Sequence, residues 1–445
     1  MNQLPREIRP AFNELKVQHH LRAAGFKKKY GLDYFSLFRL VFALLFHQKN
    51  WFRLLESDKF DLFPGKDVVY RFLNQTSYNW RRFLTALSSF VVDKMNSLTS
   101  SKRVKVFIFD DSMFERNRSK SVELLARFKD HATGAFYKGF RMLTMGWSDG
   151  HSFVPLDFSL LSSRTSQIKG TTDGIDKRTC GYKRRQEAML PAPQVIPAMI
   201  DRALAAGATA SHVLMDSWFT HAPLIQSVIA RGLHVIGMVK NDKKRYLAQD
   251  RRLTLKEIYA IAPRVEGKKQ CVLRAIRTEL APGIPVFMVF VRHRTNKNEW
   301  LAILSTDLTL STEEVIEIYG MRWDIEVFFK CTKSLLRLQK EFQGRSYDLL
   351  VSHTTIVFSR YILMAWQHRQ GTDNRSFGGL FYLLCDEVSA LDWAAALQKL
   401  IELVKDVATA SGKKISKMIR SQLQHWISGL PSYIKAYLPI LSCES

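Results

Sequence analysis

Apolar positions follow a helical period through the first hundred residues. Leu37, Leu40, Val41, Leu44 and Leu45 recur at helical spacing, and Val68 to Met95 forms a second amphipathic stretch, with Tyr70, Phe72, Trp80 and Phe83 interleaved with Arg71, Arg81 and Arg82. At Val104 the period changes. Val104, Val106, Phe107, Ile108 and Phe109 form an apolar, β-branched and aromatic run that reads as a buried strand ending in Asp110 and Asp111. Phe140 to Trp147 and Phe153 to Leu161 read as two further strands joined by the turn Ser148-Asp149-Gly150, which makes a three-strand meander.

A Gly-, Thr- and Lys/Arg-rich loop, Ser163 to Gln186, follows. Next come a helix over Gln194 to Ala205, a short strand from His212 to Met215 closing on Asp216, a helix over Ala222 to Arg231, and a strand from Val235 to Val239. That order predicts an α/β fold with a mixed sheet. Between Lys240 and Thr306 the pattern is extended, with runs at Cys271 to Ile276, Pro285 to Arg294 and Trp300 to Leu304 and turns at Pro282-Gly283 and Asn296 to Asn298. Leu255 to Ile261 is the one helical segment there. Ser311 to Lys333 reads as a single helix, with Ser311 or Thr312 as its cap and Glu313-Glu314 in its first turn. Asp348 to Arg369, Ala390 to Val407 and Lys414 to Leu430 are again helical. The predicted organisation is a helical region over 1–100, a core over 101–239, a β-rich insertion over 240–306, the end of the core over 307–370, and a C-terminal helical region over 371–445 that is a candidate for dimerisation.

Composition adds one strong constraint. The 445 residues are 46% hydrophobic and 24% charged, which excludes wholesale disorder, but the net charge is +25 and the pI near 9.9. The excess is not in a tail: residues 1–100 hold 16 Lys/Arg against 8 Asp/Glu, and Ser163 to Gln186 hold 7 against 2. A folded surface this basic implies a polyanionic partner. The apolar run Leu40 to Phe46 is too short for a bilayer, and the N-terminal ten residues lack the apolar segment of a signal peptide, so an intracellular, soluble chain with no membrane partner is expected. Cys180, Cys271, Cys331, Cys385 and Cys443 are scattered without a C-x-x-C pair, so neither a zinc site nor a disulfide framework is expected.

The candidate chemistry lies in carboxylates. Asp110 or Asp111, Asp216 and Glu326 come from two strand ends and a helix, and hard oxygen ligands from several elements suit two-cation phosphodiester chemistry. On a continuous helix Tyr319, Arg322, Glu326 and Lys333 fall within an arc of about 60°. The run Tyr319-Gly-Met-Arg322-Trp-Asp-Ile-Glu326-Val-Phe-Phe-Lys-Cys-Thr-Lys333 matches Y-x2-R-x3-E-x6-K, and FIFDDS at 107–112 and VLMDSWF at 213–219 precede it in order. Over about residues 104–365 the chain thereby resembles the insertion-sequence-four family of DDE transposases.

That resemblance implies an RNase-H-like core interrupted by a β-rich insertion, in which Asp110, Asp216 and Glu326 bind two Mg²⁺ ions, with Mn²⁺ able to substitute. Asp110 fits the Asp-x-Ser spacing through Ser112, and Asp111 stands as the alternative, since neighbouring strand residues face opposite ways. It also implies a bacterial, cytoplasmic enzyme, nucleoid-associated on DNA, that cuts transposon ends through a hairpin and joins them to target duplex as a homodimer. Tyr319, Arg322 and Lys333 would hold phosphates around the scissile end, and Trp300 would carry a flipped base. Trp323, about 100° from Arg322 on the helix, is expected to pack. Lys240 with Lys243, Lys244 and Arg245, and Arg184 and Arg185 with Lys183, are candidate DNA-backbone contacts. Two competing classes are a junction-resolvase-type nuclease and a transposase-derived regulator without catalysis. Counterion release predicts a steep linear fall of log affinity for duplex DNA with log salt; a flat response in a filter-binding titration would contradict the electrostatic premise.

Overall fold

The structure is a computed structural model that describes residues 4–5, 8–56, 63–129, 134–265, 271–280, 283–293, 296, 299–371 and 375–429. Pro282, Lys297 and Asn298 of the two expected turns, Cys443, and the end of the expected C-terminal region from Leu430 lie outside them.

Among the described residues six α-helices come first, α1 (Arg9–Glu14), α2 (Val17–Ala23), α3 (Tyr34–Ala43), α4 (Trp51–Leu55), α5 (Lys66–Leu73) and α6 (Trp80–Ser97), with a 3-10 turn over Leu44–His47 after α3. The amphipathic stretch from Val68 to Met95 is split: α5 ends at Leu73 with Asn74 as its C-cap, and Asn79 caps α6, accepting from the Arg82 amide at 3.0 Å. Trp80 and Phe83 are buried and Arg82 is exposed, while Arg81 pairs with Asp157 and Glu187. These helices are not a separate layer. α6 lies on both the sheet and the long core helix, and one continuous apolar core runs from Leu4 to Val388.

The sheet begins with β1 (Val106–Glu115), β2 (Ala126–Lys129), β3 (Phe136–Ser148) and β4 (Phe153–Leu161). After α7 (Cys180–Ala188) and α8 (Ala192–Ala205) come β5 (His212–Met215), α9 (Ala222–Ile229) and β6 (His234–Val239). β1 is antiparallel to β3 and β3 to β4, whereas β1, β5 and β6 are mutually parallel. The lateral order β4-β3-β1-β5-β6 is the RNase-H-like arrangement: a meander followed by two parallel crossover strands. β1 does not end at the aspartates as its apolar run suggests. Its pairing with β3 continues to Glu115, so Asp110 and Asp111 sit in mid-strand.

The insertion holds β7 (Arg245–Ala248), β8 (Arg251–Thr254), α10 (Leu255–Ile261), β9 (Val272–Leu280), β10 (Ile284–Arg292) and β11 (Trp300–Ser305). β11 pairs antiparallel with β6, so the insertion extends the core sheet to eleven strands among the described residues. The chain ends in α11 (Thr312–Gly320), α12 (Trp323–Ser334), α13 (Tyr347–Gln370), α14 (Phe377–Ala410) and α15 (Lys413–Ser428). α13 is long and apolar enough to cross a membrane, yet that stretch is wholly buried within the protein and serves as its central core helix.

Two buried ionic networks hold α13. Glu341 pairs with His353 at 2.7 Å and Arg360 at 2.6 Å, and Arg360 donates to the Val41 and Phe42 carbonyls of α3. In the second, Arg185 pairs with Glu123 and Asp348, each at 2.7 Å, and Arg184 with Asp348 at 2.8 Å. Both arginines are 3% exposed, which overturns their expected role as DNA-backbone contacts: their charge is spent on internal carboxylates. Removing Asp348 leaves the buried Arg184 guanidinium without its carboxylate and Arg185 with Glu123 alone. Asp348→Ala should therefore lower unfolding free energy by about 3–5 kcal/mol; urea denaturation showing a loss below about 1 kcal/mol would contradict this.

Candidate functional site

The site is set by strand register. Phe109 lies opposite Met215 in the parallel pair β1/β5, so the next residues, Asp110 within β1 and Asp216 just past the end of β5, stand side by side, roughly 4.8 Å apart in backbone terms. Asp216 starts a turn: its carboxylate accepts from the Trp218 amide at 2.8 Å and its carbonyl from the Thr220 hydroxyl at 2.7 Å. Gly237, opposite Met215 on β6, permits this closeness, since a Cβ there would meet Thr220 Oγ1 at 2.5 Å.

Glu326 arrives on α12. Ile325, Phe328, Phe329 and Thr332 form that helix's buried face, Phe328 packs on Phe153, Phe358 and Tyr361, and Asp324 accepts from the Ser148 hydroxyl at 2.6 Å. The helix expected over Ser311–Lys333 is broken between α11 and α12. After Gly320 the Met321 and Arg322 amides bond back three residues, to Ile318 and Tyr319, and tighten the turn. Ser311 caps α11 through a capping box with Glu314.

The break does not scatter the polar stripe. Arg322 donates to Asp110 at 2.8 Å and pairs with Glu326, so one guanidinium holds the first strand's carboxylate and the helix's carboxylate together. Lys333 reaches Ser112, two residues along the same face of β1, at 2.6 Å. The Tyr319 hydroxyl is buried near Arg322, Asp110 and Asp216. Asp111 points to the opposite face and pairs with Arg141 of β3, whose guanidinium lies 5.4 Å from the Trp218 ring.

Electrostatics follow from this crowding. Burial pushes Asp110 up to about 7; Arg322 opposes the rise, and Asp216 and Asp111 add to it. Burial likewise raises Tyr319 to about 12, with Asp216 and Asp110 adding to it and Arg322 opposing, so its hydroxyl stays neutral. Burial lowers Arg322, but Tyr319, Asp110 and Glu326 more than offset it and the net shift is upward. Among the described residues no three His, Cys, Asp or Glu side chains are gathered as a metal-holding group; the cation between Asp110 and Glu326 is Arg322.

The other candidates lie further out. Lys240, Lys243 and Arg245 are exposed just after β6, and Lys244 pairs with Asp242. Trp300 is half-buried in the insertion, stacked on Tyr259 at 4.8 Å and edge-on to Phe290 at 5.1 Å. Trp323 is not packed as expected but 61% exposed, because the helix break turns it to solvent. Sequence reading missed Arg141 and the half-exposed Trp218; the position of Trp218, two residues after Asp216, was the available signal.

Residues 65–269 match the DDE superfamily endonuclease model, and residues 192–359 match the transposase DDE domain model. No curated protein matches the chain. Among solved structures it is similar to a piggyBac transposase synaptic complex with hairpin DNA, at 11% identity and TM-score 0.46, covering 92% of this chain and 81% of that one. It is also similar to the Drosophila P element transposase strand transfer complex, at 9% identity and TM-score 0.22, covering 95% and 99% respectively.

The raised Asp110 gives a pH prediction. Its folded pKa exceeds the unfolded value near 4, so the native state holds the extra proton between about pH 4 and 7, and this group's contribution to stability falls as pH rises through that window. Without divalent cations, the Asp110 carboxyl carbon should titrate near 7 by NMR, and above that in Arg322→Ala. A midpoint near 4 in both proteins would contradict the geometry.

Proposed function

We propose that the protein is a cut-and-paste DNA transposase of the insertion-sequence-four type, whose reacting centre is Asp110, Asp216 and Glu326. The observation that carries the reading is the register of β1 on β5, which sets two carboxylates side by side while α12 brings a third to the first through Arg322. The matches to DDE endonuclease and transposase DDE domains support the coarser part of this reading, a DDE transposase.

The donor set fits a hard divalent cation in kind: three carboxylates from three elements, one of them driven up to about 7 by burial and by neighbouring negative charge. Two Mg²⁺ ions, or Mn²⁺, bound by Asp110, Asp216 and Glu326 would supply activation of the attacking oxygen and stabilisation of the leaving one. The chain's own residues would do the rest. Arg322 presents a planar fork able to leave its carboxylates for phosphate oxygens, and Lys333 offers a point charge at the same face. Tyr319, kept neutral, would offer its buried hydroxyl as a donor to a phosphate oxygen without adding charge. Water attack on one strand, hairpin formation by the freed 3′-hydroxyl, reopening and joining to target duplex form the proposed sequence. Trp300 keeps its assignment as the platform for a flipped base, with one of its faces already taken by Tyr259. The protein acts as a homodimer on paired duplex ends in the bacterial cytoplasm, with Lys240 near the backbone and residues 1–100 as the end-binding region.

The test uses a plasmid carrying the inverted repeats that flank the gene. Wild type should cleave it only with Mg²⁺ or Mn²⁺, while Asp216→Asn and Glu326→Gln lose at least about a thousandfold in cleavage and keep duplex binding, because basic contacts remain. Wild type as inert as Glu326→Gln, with duplex binding retained, would replace this reading with that of a non-catalytic DNA-binding regulator.

A further inference from the structure

β1 leads out of the carboxylate centre into a second feature. Past Glu115 the chain turns through Arg116, Arg118 and Lys120, and this turn faces the loop between α12 and α13 across an open cavity of about 860 Å³. Lys340 and Arg345 line the opposite wall. Arg118, Lys120, Lys340 and Arg345 are exposed, and among the described residues none of the four makes an ion pair; Glu115 is the carboxylate of the lining, and it accepts from the Asn117 amide. A cavity so one-sided in charge is costly to leave facing itself.

The walls are built, not draped. Arg116 lies over the Phe114 ring and donates to the Gln339 carbonyl at 3.0 Å, its amide donates to the Lys138 carbonyl at 2.6 Å, and the Glu123 amide donates to the Arg345 carbonyl at 2.8 Å. Arg337 and Gln339 both take left-handed backbone conformations, φ 54° and 74°, which a non-glycine residue adopts only where its surroundings hold it. The opposite wall is braced in turn on α5, where the Tyr70 hydroxyl donates to the Gln343 carbonyl at 3.2 Å.

We propose that this groove binds the sugar-phosphate backbone of the DNA whose scissile phosphate lies at Asp110, with Arg118, Lys120, Lys340 and Arg345 contacting phosphates. The proposal rests on the transposase reading above and adds where the substrate leaves the centre. From Asp110 to Glu115 the strand advances about 17 Å, a span in which one DNA strand presents about five phosphates. Lys333 on Ser112 lies between, so positive charge continues from the centre to the groove. The contacts are to backbone, so they carry affinity and register but no sequence preference.

The test is fluorescence anisotropy with a labelled duplex of about 30 base pairs and arbitrary sequence, titrated between about 0.05 and 0.2 M KCl. Arg118→Gln/Lys120→Gln/Arg345→Gln leaves the braces Arg116 and Gln339 in place, and circular-dichroism melting checks that it folds as wild type. Its affinity at about 0.1 M salt should fall at least about tenfold, and its log-log salt slope by about 2 to 3. A matched loss of three exposed charges on α15, Lys413→Gln/Lys414→Gln/Lys417→Gln, should change neither by as much. An unchanged slope in the groove variant, or an equal loss in the α15 variant, overturns the groove while wild-type binding and cleavage leave the transposase reading standing. Wild type that fails to bind the duplex at about 0.05 M salt defeats both.

Discussion

Two carboxylates on neighbouring parallel strands impose the constraint from which the centre is built. Asp110 and Asp216 follow the last paired residues of β1 and β5, so the backbone leaves them little room to separate. Like charges that close, one of them largely buried, are unfavourable without a cation. The surroundings supply one in Arg322, and they let the Asp110 proton linger to about pH 7. The break between α11 and α12 belongs to the same solution, since Arg322 sits at the break and reaches both Asp110 and Glu326.

Away from the centre, charge is divided between internal struts and outward-facing cations. Arg184, Arg185 and Arg360 are locked among Glu123, Asp348 and Glu341, fixing α13 against α7 and α3. Such networks add geometric specificity more than stability, and they make the centre's scaffold stiff at the cost of being intolerant to single losses. The outward cations, including those after β6 and those along the groove beyond β1, give the net +25 its use. The same residue types thus do opposite work, and which work each does is decided by burial.

That division explains what sequence reading reached and what it missed. β5, β4 and α10 were legible to the residue because each is a short apolar run closed by clear turn or cap residues. The polar stripe was legible because Tyr319, Arg322, Glu326 and Lys333 keep one direction even across the break. The end of β1 was misread because an apolar run stops at Phe109 while the pairing with β3, a long-range interaction, goes on to Glu115. Arg184 and Arg185 were misread for the same reason: their partners, Glu123 and Asp348, lie 62 and 163 residues from Arg185. Trp323 was given to packing on the assumption of a straight helix, which Gly320 and the tightened turn after it do not supply. The binding groove had no linear signature at all, since its two walls come from residues more than two hundred positions apart.

The central claim is that Asp110, Asp216 and Glu326 form one cation-binding centre, in which Arg322 bridges Asp110 and Glu326 in the absence of metal and DNA. It is tested most directly by a crystal structure with Mn²⁺ and duplex DNA, in which anomalous scattering locates the metal. The account predicts manganese bound by Asp110 and Asp216, with Arg322 moved from Asp110 onto a DNA phosphate. Manganese absent from those carboxylates, with Arg322 still spanning Asp110 and Glu326 beside bound DNA, would contradict it.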